Sequence, residues 1–290
     1  MPTLLAPPRT SPPGERISDR EFNAIRELVY ARFGINLGDH KKSLVVGRLQ
    51  KVLMQRGFRT FQQYYDWLKS DPSGDGLEEL ANRITTNHTF FNREPAHFQF
   101  FAETLLPQLI ARRRAENKRE LRFWCAGCSS GEEPYTLMML MREQLGADAG
   151  NWKTILLATD LSATVLRKAI MGVYDAERVS QMPLQLRRRW FVPQKDGNVR
   201  VHEDIRGAVI FRRHNLMSAS FPFRHQFDAV FCRNVMIYFD HQTRLDLVGK
   251  FHHHTAPGGY LFIGHSETLG RDETAYEYVM PALYRKRPQG

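Results

Sequence analysis

Apolar residues recur every three or four positions between 18 and 86, which is typical of amphipathic helices. The first helix carries a capping box from Ser18 to Glu21 at its start and Gly34 at its end. Further helices with the same spacing are expected over 40–56, from Thr60 onwards, and over 77–84. The pattern therefore predicts an all-helical N-terminal domain over 18–86.

After Asn87 the pattern changes to short apolar runs that alternate with amphipathic segments. The runs lie at 121–126, 154–159, 209–212, 227–232 and 260–264. Helical spacing is clearest over 133–145, 162–171 and 242–253. This alternation predicts strands of a parallel sheet joined by helices. A late aromatic stretch at 276–285 predicts an antiparallel hairpin at one edge of that sheet.

The chain as a whole is expected to be an α/β protein with a Rossmann-like, mostly parallel sheet and a small all-α domain before it. We expect 87–98 to be a linker and 99–290 to be the α/β domain. A turn at Asp196-Gly197 between β-like arms predicts an inserted β-hairpin subdomain at about 189–208. Residues 1–17 are rich in proline and lack a long apolar core, which indicates a disordered leader and not a secretory signal.

The net charge of the chain indicates the kind of partner it binds, and its cysteine content indicates the compartment in which it works. The formal net charge is +10, from 41 Lys and Arg against 31 Asp and Glu. Such an excess favours an acidic partner, and nucleic acid, an anionic membrane surface and an acidic protein all satisfy it. Three cysteines in 290 residues provide no disulfide framework, which favours the reducing cytoplasm. No apolar run approaches the roughly 20 residues of a membrane span.

The most informative segment is LRFWCAGCSSGEEPYTL, residues 121–137. A buried run stops at Gly127, crosses small residues to Gly131, and enters a helix with Glu132 and Glu133. A strand, glycine turn and helix start present backbone N–H groups to nucleotide-like ligands, so Gly127 is a candidate cofactor contact. Two carboxylates here would repel a pyrophosphate. S-adenosylmethionine, with its sulfonium and ammonium groups, therefore fits better than NAD.

Asp160 ends the second predicted strand, in Leu156 to Asp160. An acid at this position can accept hydrogen bonds from both hydroxyls of a ribose. The alternative is that Asp160 only caps the following helix, which Ser162 could do equally well. The glycine turn upstream favours the ribose role.

The fourth predicted strand leads into Arg233, Asn234 and Tyr238. Ligands of doubly wound sheets bind beyond the carboxyl ends of the strands, so these side chains should line the cleft. Methylases of amino groups commonly carry an acid or Asn with two prolines here, whereas Arg-Asn suits an anionic acceptor. The alternative is that Arg233 only pairs with a surface carboxylate.

Two further segments have a structural and a functional interpretation. Residues 85–94, TTNHTFFNRE, are rich in side-chain donors and join the predicted domains, either as a hinge over a cofactor or as an ordinary linker. Lys41, Arg48 and Lys51 share one side of the second helix, either as a stripe that binds an acidic helix or as a solvated face.

No metal site is predicted. Cys125-x-x-Cys128 is a single pair without a second pair or a thioredoxin-like context. The three adjacent histidines at 252–254 diverge on a helix, so they cannot all face one metal.

Taken together, the motifs resemble the chemotaxis receptor methyltransferase family (CheR type) over nearly the whole chain from about residue 18. The segments that carry the resemblance are TTNHTFFNRE (85–94), SSGEEPYTL (129–137), ATDLS (158–162), FDAVFCRNVMIYFD (227–240) and GGYLFIGHSETL (258–269). The resemblance implies an S-adenosylmethionine-dependent methyltransferase fold. It also implies methylation of glutamate side chains on the cytoplasmic helical bundle of chemoreceptors.

The resemblance implies site residues at matching motif positions. Cofactor contacts are implied for Asn87, Thr89, Arg93, Glu133, Asp160, Asn215, Leu216, Arg233 and Asn234. Tyr238 is implied near the transferred methyl group. The family commonly has Phe-Phe directly before the arginine, whereas Asn92 stands there in this chain.

The resemblance also implies how the substrate is bound. Lys41, Arg48 and Lys51 would dock on the receptor, and the membrane would be reached only through it. The hairpin binds a receptor tail in some members, but the loop VPQKDGN looks short for that, which favours a tail-independent enzyme. A monomer is expected, and no nucleic acid partner.

The expected mechanism needs no general base, since a glutamate with a reference pKa of about 4.3 is already ionised at neutral pH. Arg93 and Tyr238 would then position the reactants. An RNA or DNA methyltransferase is the alternative enzyme, favoured by the positive charge. A non-catalytic adaptor that binds S-adenosylmethionine is the alternative without turnover.

Overall fold

The computed structural model describes residues 17–85, 87–270 and 272–288, and the chain forms two compact units, 1–86 and 87–290. The expected leader lies outside the described residues except for Ile17, whose side chain is buried. None of the described helices combines the length and the hydrophobicity of a membrane-spanning segment.

The N-terminal unit is helical, as the spacing predicts. Its described α-helices are α1 (Asp19–Phe33), α2 (Lys42–Arg56), α3 (Phe61–Ser70) and α4 (Asp75–Ile84). In the capping box, Ser18 Oγ accepts a hydrogen bond from Glu21 N at 3.2 Å, and the Glu21 carboxylate accepts one from Ser18 N at 2.9 Å. Gly34 ends α1 with a φ of +67°, a conformation that glycine adopts without a steric penalty.

The apolar stripes of these helices form the core of the unit, with α1 packed on α3 and α2 packed on α4. The fully buried side chains include Ile25, Val29, Val45, Leu49, Val52, Phe61, Tyr64 and Leu80. Burying one such apolar side chain stabilises a fold by roughly 1.5–3 kcal/mol. Packing therefore explains why marginal single helices hold together here.

The second unit alternates helices and strands. Its helices are α5 (Pro95–Phe100), continued by a π-helical turn, α6 (Leu106–Ala115), α7 (Glu132–Leu145), α8 (Ala163–Met171), α9 (Leu184–Trp190), α10 (Glu203–Arg206) and α11 (His241–His254). Its strands are β1 (Glu120–Ala126), β2 (Lys153–Asp160), β3 (Val173–Asp175), β4 (Phe191–Pro193), β5 (Asn198–Val201), β6 (Val209–Arg213), β7 (Phe227–Cys232), β8 (Thr255–Ile263), β9 (Tyr276–Met280) and β10 (Leu283–Lys286).

Seven of these strands form one sheet in the order β6-β2-β1-β7-β8-β10-β9. The first five run parallel, while β10 is antiparallel to both β8 and β9. The predicted fold class, including the antiparallel edge hairpin, is therefore confirmed. The chain moves outwards from β1 to β2 and β6 and then returns to β7 on the other side of β1. In such sheets the ligand cleft opens between the carboxyl ends of the two strands at this reversal.

Alternate residues of the central strands face two separate cores. Phe123 and Cys125 of β1 pack on the side of α5, α6 and α7, whereas Trp124 and Ala126 pack on the side of α11. This alternation is the two-residue period of a strand. Burial on both faces explains why the strand appears in the sequence as a continuous apolar run.

A small antiparallel sheet, in the order β3-β5-β4, lies between β2 and β6 in the chain. The hairpin of β4 and β5 is the one expected around Asp196-Gly197, and Gly197 has a φ of +81°. Strand β3 was not predicted, because its three residues are too few to show a period.

Candidate active site

The glycine turn after β1 has a shape that side chains would obstruct. Gly127 and Gly131 have φ values of +86° and +97°. A Cβ on Gly131 would lie 2.9 Å from the Cβ of Ala169. Within this turn, Gly127 N and Cys128 N donate hydrogen bonds to the carbonyl oxygen of Thr159 at 2.8 and 2.9 Å. The turn is thereby fastened to the carboxyl end of β2.

Asp160 joins two loops at this point. Its carboxylate accepts hydrogen bonds from Ser129 N at 2.8 Å and from Ser162 N at 2.9 Å. The cap of α8 is Ser162, whose Oγ accepts from Val165 N. Burial raises the pKa of Asp160, and these backbone N–H groups oppose that rise. Asp160 is therefore not merely a helix cap, since it ties the glycine turn to the β2 end.

Arg233 lies between two carboxylates at the carboxyl end of β7. Its Nη1 donates to Glu133 Oε2 at 2.8 Å, and its Nη2 donates to Glu94 Oε2 at 3.0 Å. A further bond runs to the carbonyl oxygen of Arg93. The Arg233 side chain is only 3% exposed, so its partners are not the surface carboxylate of the alternative interpretation. Burial raises the pKa of Glu133, and the Arg233 charge counteracts this.

Glu94 connects the segment before α5 with the loop after β7. Beyond Arg233, its Oε1 accepts from Asn234 Nδ2 at 3.3 Å and from His265 N at 3.2 Å. Glu94 and Asn234 both have positive φ values, +57° and +59°, which few non-glycine residues adopt. Glu94 was not predicted as a site residue, although it lies inside the motif 85–94.

His97 is fully buried beside this network, with its Nδ1 3.5 Å from Glu94 Oε2. Burial, together with the nearby Arg233 charge, lowers the pKa of His97 to about 4, so the imidazole is neutral at pH 7. Candidate ligand atoms of Glu94, His97 and His265 lie within 4.8 Å of one another. Both Glu94 oxygens, however, already accept hydrogen bonds, and the adjacent guanidinium would repel a cation. The cluster fits an ion-pair network better than a metal cage.

The segment 87–94 places Arg93 close to its own backbone. Arg93 Nη1 donates to the carbonyl oxygen of His88 at 2.8 Å, and the guanidinium lies 5.8 Å from the Phe90 ring centre. The Thr89 carbonyl oxygen accepts from Arg178 at 2.8 Å, and Asn87 is exposed. Within this segment, the contacts with Arg233 are made by the Arg93 carbonyl and the Glu94 carboxylate.

Asn92, the departure from the family pattern, has a φ of +59°, and its Nδ2 donates to the carbonyl oxygen of Gln181 at 3.2 Å. Asn tolerates this left-handed conformation better than most non-glycine residues. Asn92 therefore suits the local backbone.

Asn215 and Leu216 follow β6 and are tied to the β2 end. His214 N donates to the Asp160 carbonyl oxygen at 3.0 Å, and Asn215 Oδ1 accepts from Met217 N at 3.0 Å. The Leu216 side chain is buried. These contacts bring Asn215 and Leu216 to the same edge of the sheet as Asp160.

Tyr238 ends the loop that follows β7, in a 3₁₀ turn over Met236–Tyr238, and is partly buried. The same loop packs on the glycine turn, since a Cβ on Gly127 would lie 3.5 Å from Val235 Cβ. The structure thus groups Gly127, Glu133, Asp160, Arg233, Asn234 and the Tyr238 loop around the β1, β2 and β7 ends.

The predicted docking residues belong to the N-terminal unit. Arg48 donates to the carbonyl oxygens of Arg83 and Ile84, the last residues of α4. Lys41 Nζ lies 3.4 Å from the Asn36 carbonyl oxygen, and Lys51 is exposed. Arg48 therefore has a structural role in the helical unit.

Comparison with known protein families identifies the class of protein to which this chain belongs. Residues 87–284 match the family described as CheR methyltransferase, SAM binding domain, and residues 20–85 match CheR methyltransferase, all-alpha domain. The α/β unit is therefore an S-adenosylmethionine-binding methyltransferase domain. The chain belongs to the CheR methyltransferase family.

Relatives named chemotaxis protein methyltransferase agree over most of the chain. The protein from Borreliella burgdorferi is 42% identical, over 93% of this chain and 95% of its own. That from Escherichia coli is 37% identical over 92% and 91%. A relative from Pseudomonas aeruginosa, named chemotaxis protein methyltransferase 2, is 37% identical over 93% and 94%. The resemblance drawn from the motifs is confirmed.

Proposed function

We propose that this protein transfers the methyl group of S-adenosylmethionine to glutamate side chains of chemoreceptors, which yields glutamate methyl esters and S-adenosylhomocysteine. Membership of the family and the names of the relatives support the proposal. The observation that carries it is the buried Arg233 held between Glu94 and Glu133 at the open end of β1 and β7. Ligands of α/β sheets bind at this position.

The charge of the cleft suits this cofactor. Three carboxylates, on Glu94, Glu133 and Asp160, accompany the guanidinium groups of Arg233 and Arg93. The local excess of negative charge favours a sulfonium and an ammonium group over a pyrophosphate. In this proposal Glu133 attracts the cationic side of the cofactor and Asp160 accepts hydrogen bonds from the ribose hydroxyls. When bound, the cofactor supplies an electrophilic methyl group.

Other residues of the cleft would complete the binding site. We assign cofactor contacts to Asn87, Thr89, Arg93, Gly127, Asn215, Leu216, Arg233 and Asn234. Their backbone segments meet at the β2 and β7 ends through hydrogen bonds of Asp160, Glu94 and Arg233. The glycine turn packs closely against Val235 and Ala169, which is possible because Gly127 and Gly131 lack side chains.

The residues of the chain need only position the acceptor. A free glutamate carboxylate is ionised at neutral pH, so no proton has to be removed. One N–H group of Arg93 donates to the His88 carbonyl oxygen, and its guanidinium has further donors that can orient the incoming carboxylate. Tyr238 would orient the acceptor carboxylate as it approaches the methyl group. Tight pairing in the ground state would slow the reaction, so both residues should act by orientation.

Receptor docking is assigned to the exposed face of α2. Leu44, Lys51 and Met54 are exposed and lie at helical spacing on this face, and Lys41 lies at its start. A cation flanked by apolar side chains suits an acidic helical surface. The net charge of +10 would also favour encounter with such a surface. Arg48 contributes by holding α4 to α2.

The test is methyl transfer from tritiated S-adenosylmethionine to membranes that contain candidate chemoreceptors. Alkali should release the label as volatile methanol, since carboxyl esters hydrolyse in base. Arg233→Met should abolish release, whereas Arg287→Met, which removes an exposed arginine, should not. Base-stable label would contradict the proposal in favour of a nucleic acid methyltransferase. Cofactor binding without transfer to any receptor would favour an adaptor.

A further inference from the structure

Glu267 lies on the segment after β8, and its carboxylate is bound by backbone N–H groups of two loops. Oε2 accepts from Asn234 N at 2.9 Å and from Gly264 N at 2.5 Å, and Oε1 accepts from Ile237 N at 3.1 Å. The residue is only 7% exposed. Within 17–85, 87–270 and 272–288, no cationic side chain forms an ion pair with it. Burying a charge is costly, and the three backbone N–H groups that Glu267 binds offset that cost.

The loop held by Glu267 is in close contact with its neighbours on both sides. Asn234 has a φ of +59°, a left-handed conformation that Asn adopts more readily than most non-glycine residues. The loop approaches the β8 end so closely that a Cβ on Gly264 would lie 2.8 Å from Asn234 N. On its other side, Val235 packs against Gly127. The loop is therefore enclosed between the glycine turn and the β8 end, and Glu267 fastens it at two points.

These two points flank the residues that the proposed function places in the cleft. The Glu267 carboxylate binds the backbone N–H of Asn234 directly. It also binds the N–H of Ile237, the residue immediately before Tyr238. Both contacts use backbone N–H groups of the loop and not the side chains of Asn234 or Tyr238. The Glu267 carboxylate itself needs no contact with cofactor or acceptor.

We propose that Glu267 is a positioning residue for methyl transfer: its carboxylate holds the 234–238 loop and thereby sets the placement of Asn234 and Tyr238. This inference rests on the proposed function. A shift of about 1 Å in a reacting arrangement can cost about 100-fold in rate, so loss of the clamp should act on turnover.

The test compares Glu267→Gln with the wild type and with a control variant, Glu273→Gln. Glu273 is exposed and pairs only with His241 among the described residues, so its loss should leave turnover within twofold. Glu267→Gln replaces one acceptor oxygen by an NH₂ group that cannot accept. We expect kcat at saturating cofactor to fall ten- to 100-fold, with a smaller change in cofactor Kd. An unchanged kcat would overturn the inference.

Amide hydrogen exchange tests, independently of enzymatic activity, whether the Glu267 carboxylate holds the 234–238 loop. In Glu267→Gln, the amide that faces the new NH₂ group, Asn234 or Ile237, should exchange at least tenfold faster, while amides of β7 keep their protection. Unchanged exchange of both amides would overturn the inference even if turnover fell. Glu267→Asp, one methylene shorter, should lose at least one of the two protections and provides a second measurement if the amide variant does not fold.

A double-mutant cycle separates positioning from general weakening. If Glu267 acts through Tyr238, the losses of kcat in Glu267→Gln and Tyr238→Phe should not multiply in the double variant. Multiplied losses would overturn the proposed route through Tyr238. A wild type that methylates no receptor would contradict the proposed function, whereas the exchange of the two amides would still test the clamp.

Discussion

Arg233 and Glu133 stand 100 residues apart in the chain, and Arg233 Nη1 donates to Glu133 Oε2 across 2.8 Å. Arg233 follows β7, and Glu133 lies in the first turn of α7, so the pair connects the two elements that flank the cleft. Their side chains are 3% and 15% exposed, and ion pairs in such surroundings are screened little by salt. The pair is therefore a main constraint on the geometry of the cleft.

Replacing Arg233 by Met should lower the free energy of unfolding by about 3–5 kcal/mol. The substitution leaves Glu94 and Glu133 buried without a compensating charge, which is the costly outcome for a buried pair. Urea unfolding at pH 7 measures the effect. Arg287→Met is the control, because its partner Glu277 is also exposed and the expected change is below about 1 kcal/mol. Equal losses in the two variants would contradict the role assigned to Arg233.

Gly131→Ala should destabilise the glycine turn by roughly 1–3 kcal/mol, the cost of holding a non-glycine residue in a strained backbone conformation. The new Cβ would also crowd Ala169 at 2.9 Å, so we expect weaker cofactor binding. Calorimetric titration with S-adenosylhomocysteine and thermal unfolding measure both effects. Gly150→Ala, in an open position, should change neither. Unaltered affinity in Gly131→Ala would show that the turn does not shape the cofactor site.

His97 should make the protein less stable as the pH falls. Its pKa is about 4 when folded and about 6.5 in an unfolded chain, so the unfolded state binds more protons between these values. Stability is therefore lost on going below pH 6.5, by about 2 kcal/mol between pH 7 and pH 5 from this group. Burial raises the pKa of Glu133 and Asp160, which has the opposite sign.

The His97 contribution is isolated by comparing urea unfolding of wild type and His97→Gln at pH 7 and pH 5. The wild type should lose about 2 kcal/mol more than the variant over this interval. The same pH dependence in both proteins would mean that the imidazole is not held neutral.

Lys51→Glu should slow methylation of receptor membranes about three- to tenfold at low salt, because it reverses a charge on the exposed face of α2. The difference from the wild type should shrink at high salt, where surface charges are screened. Lys69→Glu on α3 is the matched control and should have a smaller effect. A loss that is independent of salt would argue against electrostatic docking.

Arg48→Met should act on stability and not on docking. Its guanidinium binds the last carbonyls of α4, and loss of such charge-assisted hydrogen bonds costs about 1.5–3 kcal/mol. We expect a lower unfolding midpoint for the N-terminal unit, with the salt dependence of methylation unchanged at temperatures where the unit is folded. A salt dependence steeper or weaker than that of the wild type would indicate that Arg48 takes part in receptor docking.

Local signals made much of the fold predictable. The capping box at Ser18, the stop at Gly34 and the cap at Thr60 depend on residues within a few positions, so the sequence locates those helix ends. The central strands β1, β7 and β8 were found as continuous apolar runs because most of their residues are buried on both faces of the sheet. Strand β3 was missed, since its pairing with β5 depends on residues about 25 positions away and not on its own three residues.

The site was predictable only in part. Arg233 and Asp160 were identified from their places after strands, but their hydrogen-bond partners were not. Glu94 and Glu267 were missed as functional residues, because a single acid in a loop shows no period and no motif spacing by itself. The one available signal for Glu94 was its place beside Arg93 and before Pro95, at a helix start.

The sequence by itself determined the helices of the N-terminal unit, helices α7, α8 and α11, the parallel strands and the glycine turn, because each depends on neighbours along the chain. Only the tertiary structure decided which carboxylate meets which cation. Arg233 is 139 residues from Glu94, and a contact of that kind exists only after the sheet has brought the ends of its strands together. It also decided that Arg48 holds α4 while Lys51 remains exposed, since helical spacing gives the side of a helix but not the group that covers it.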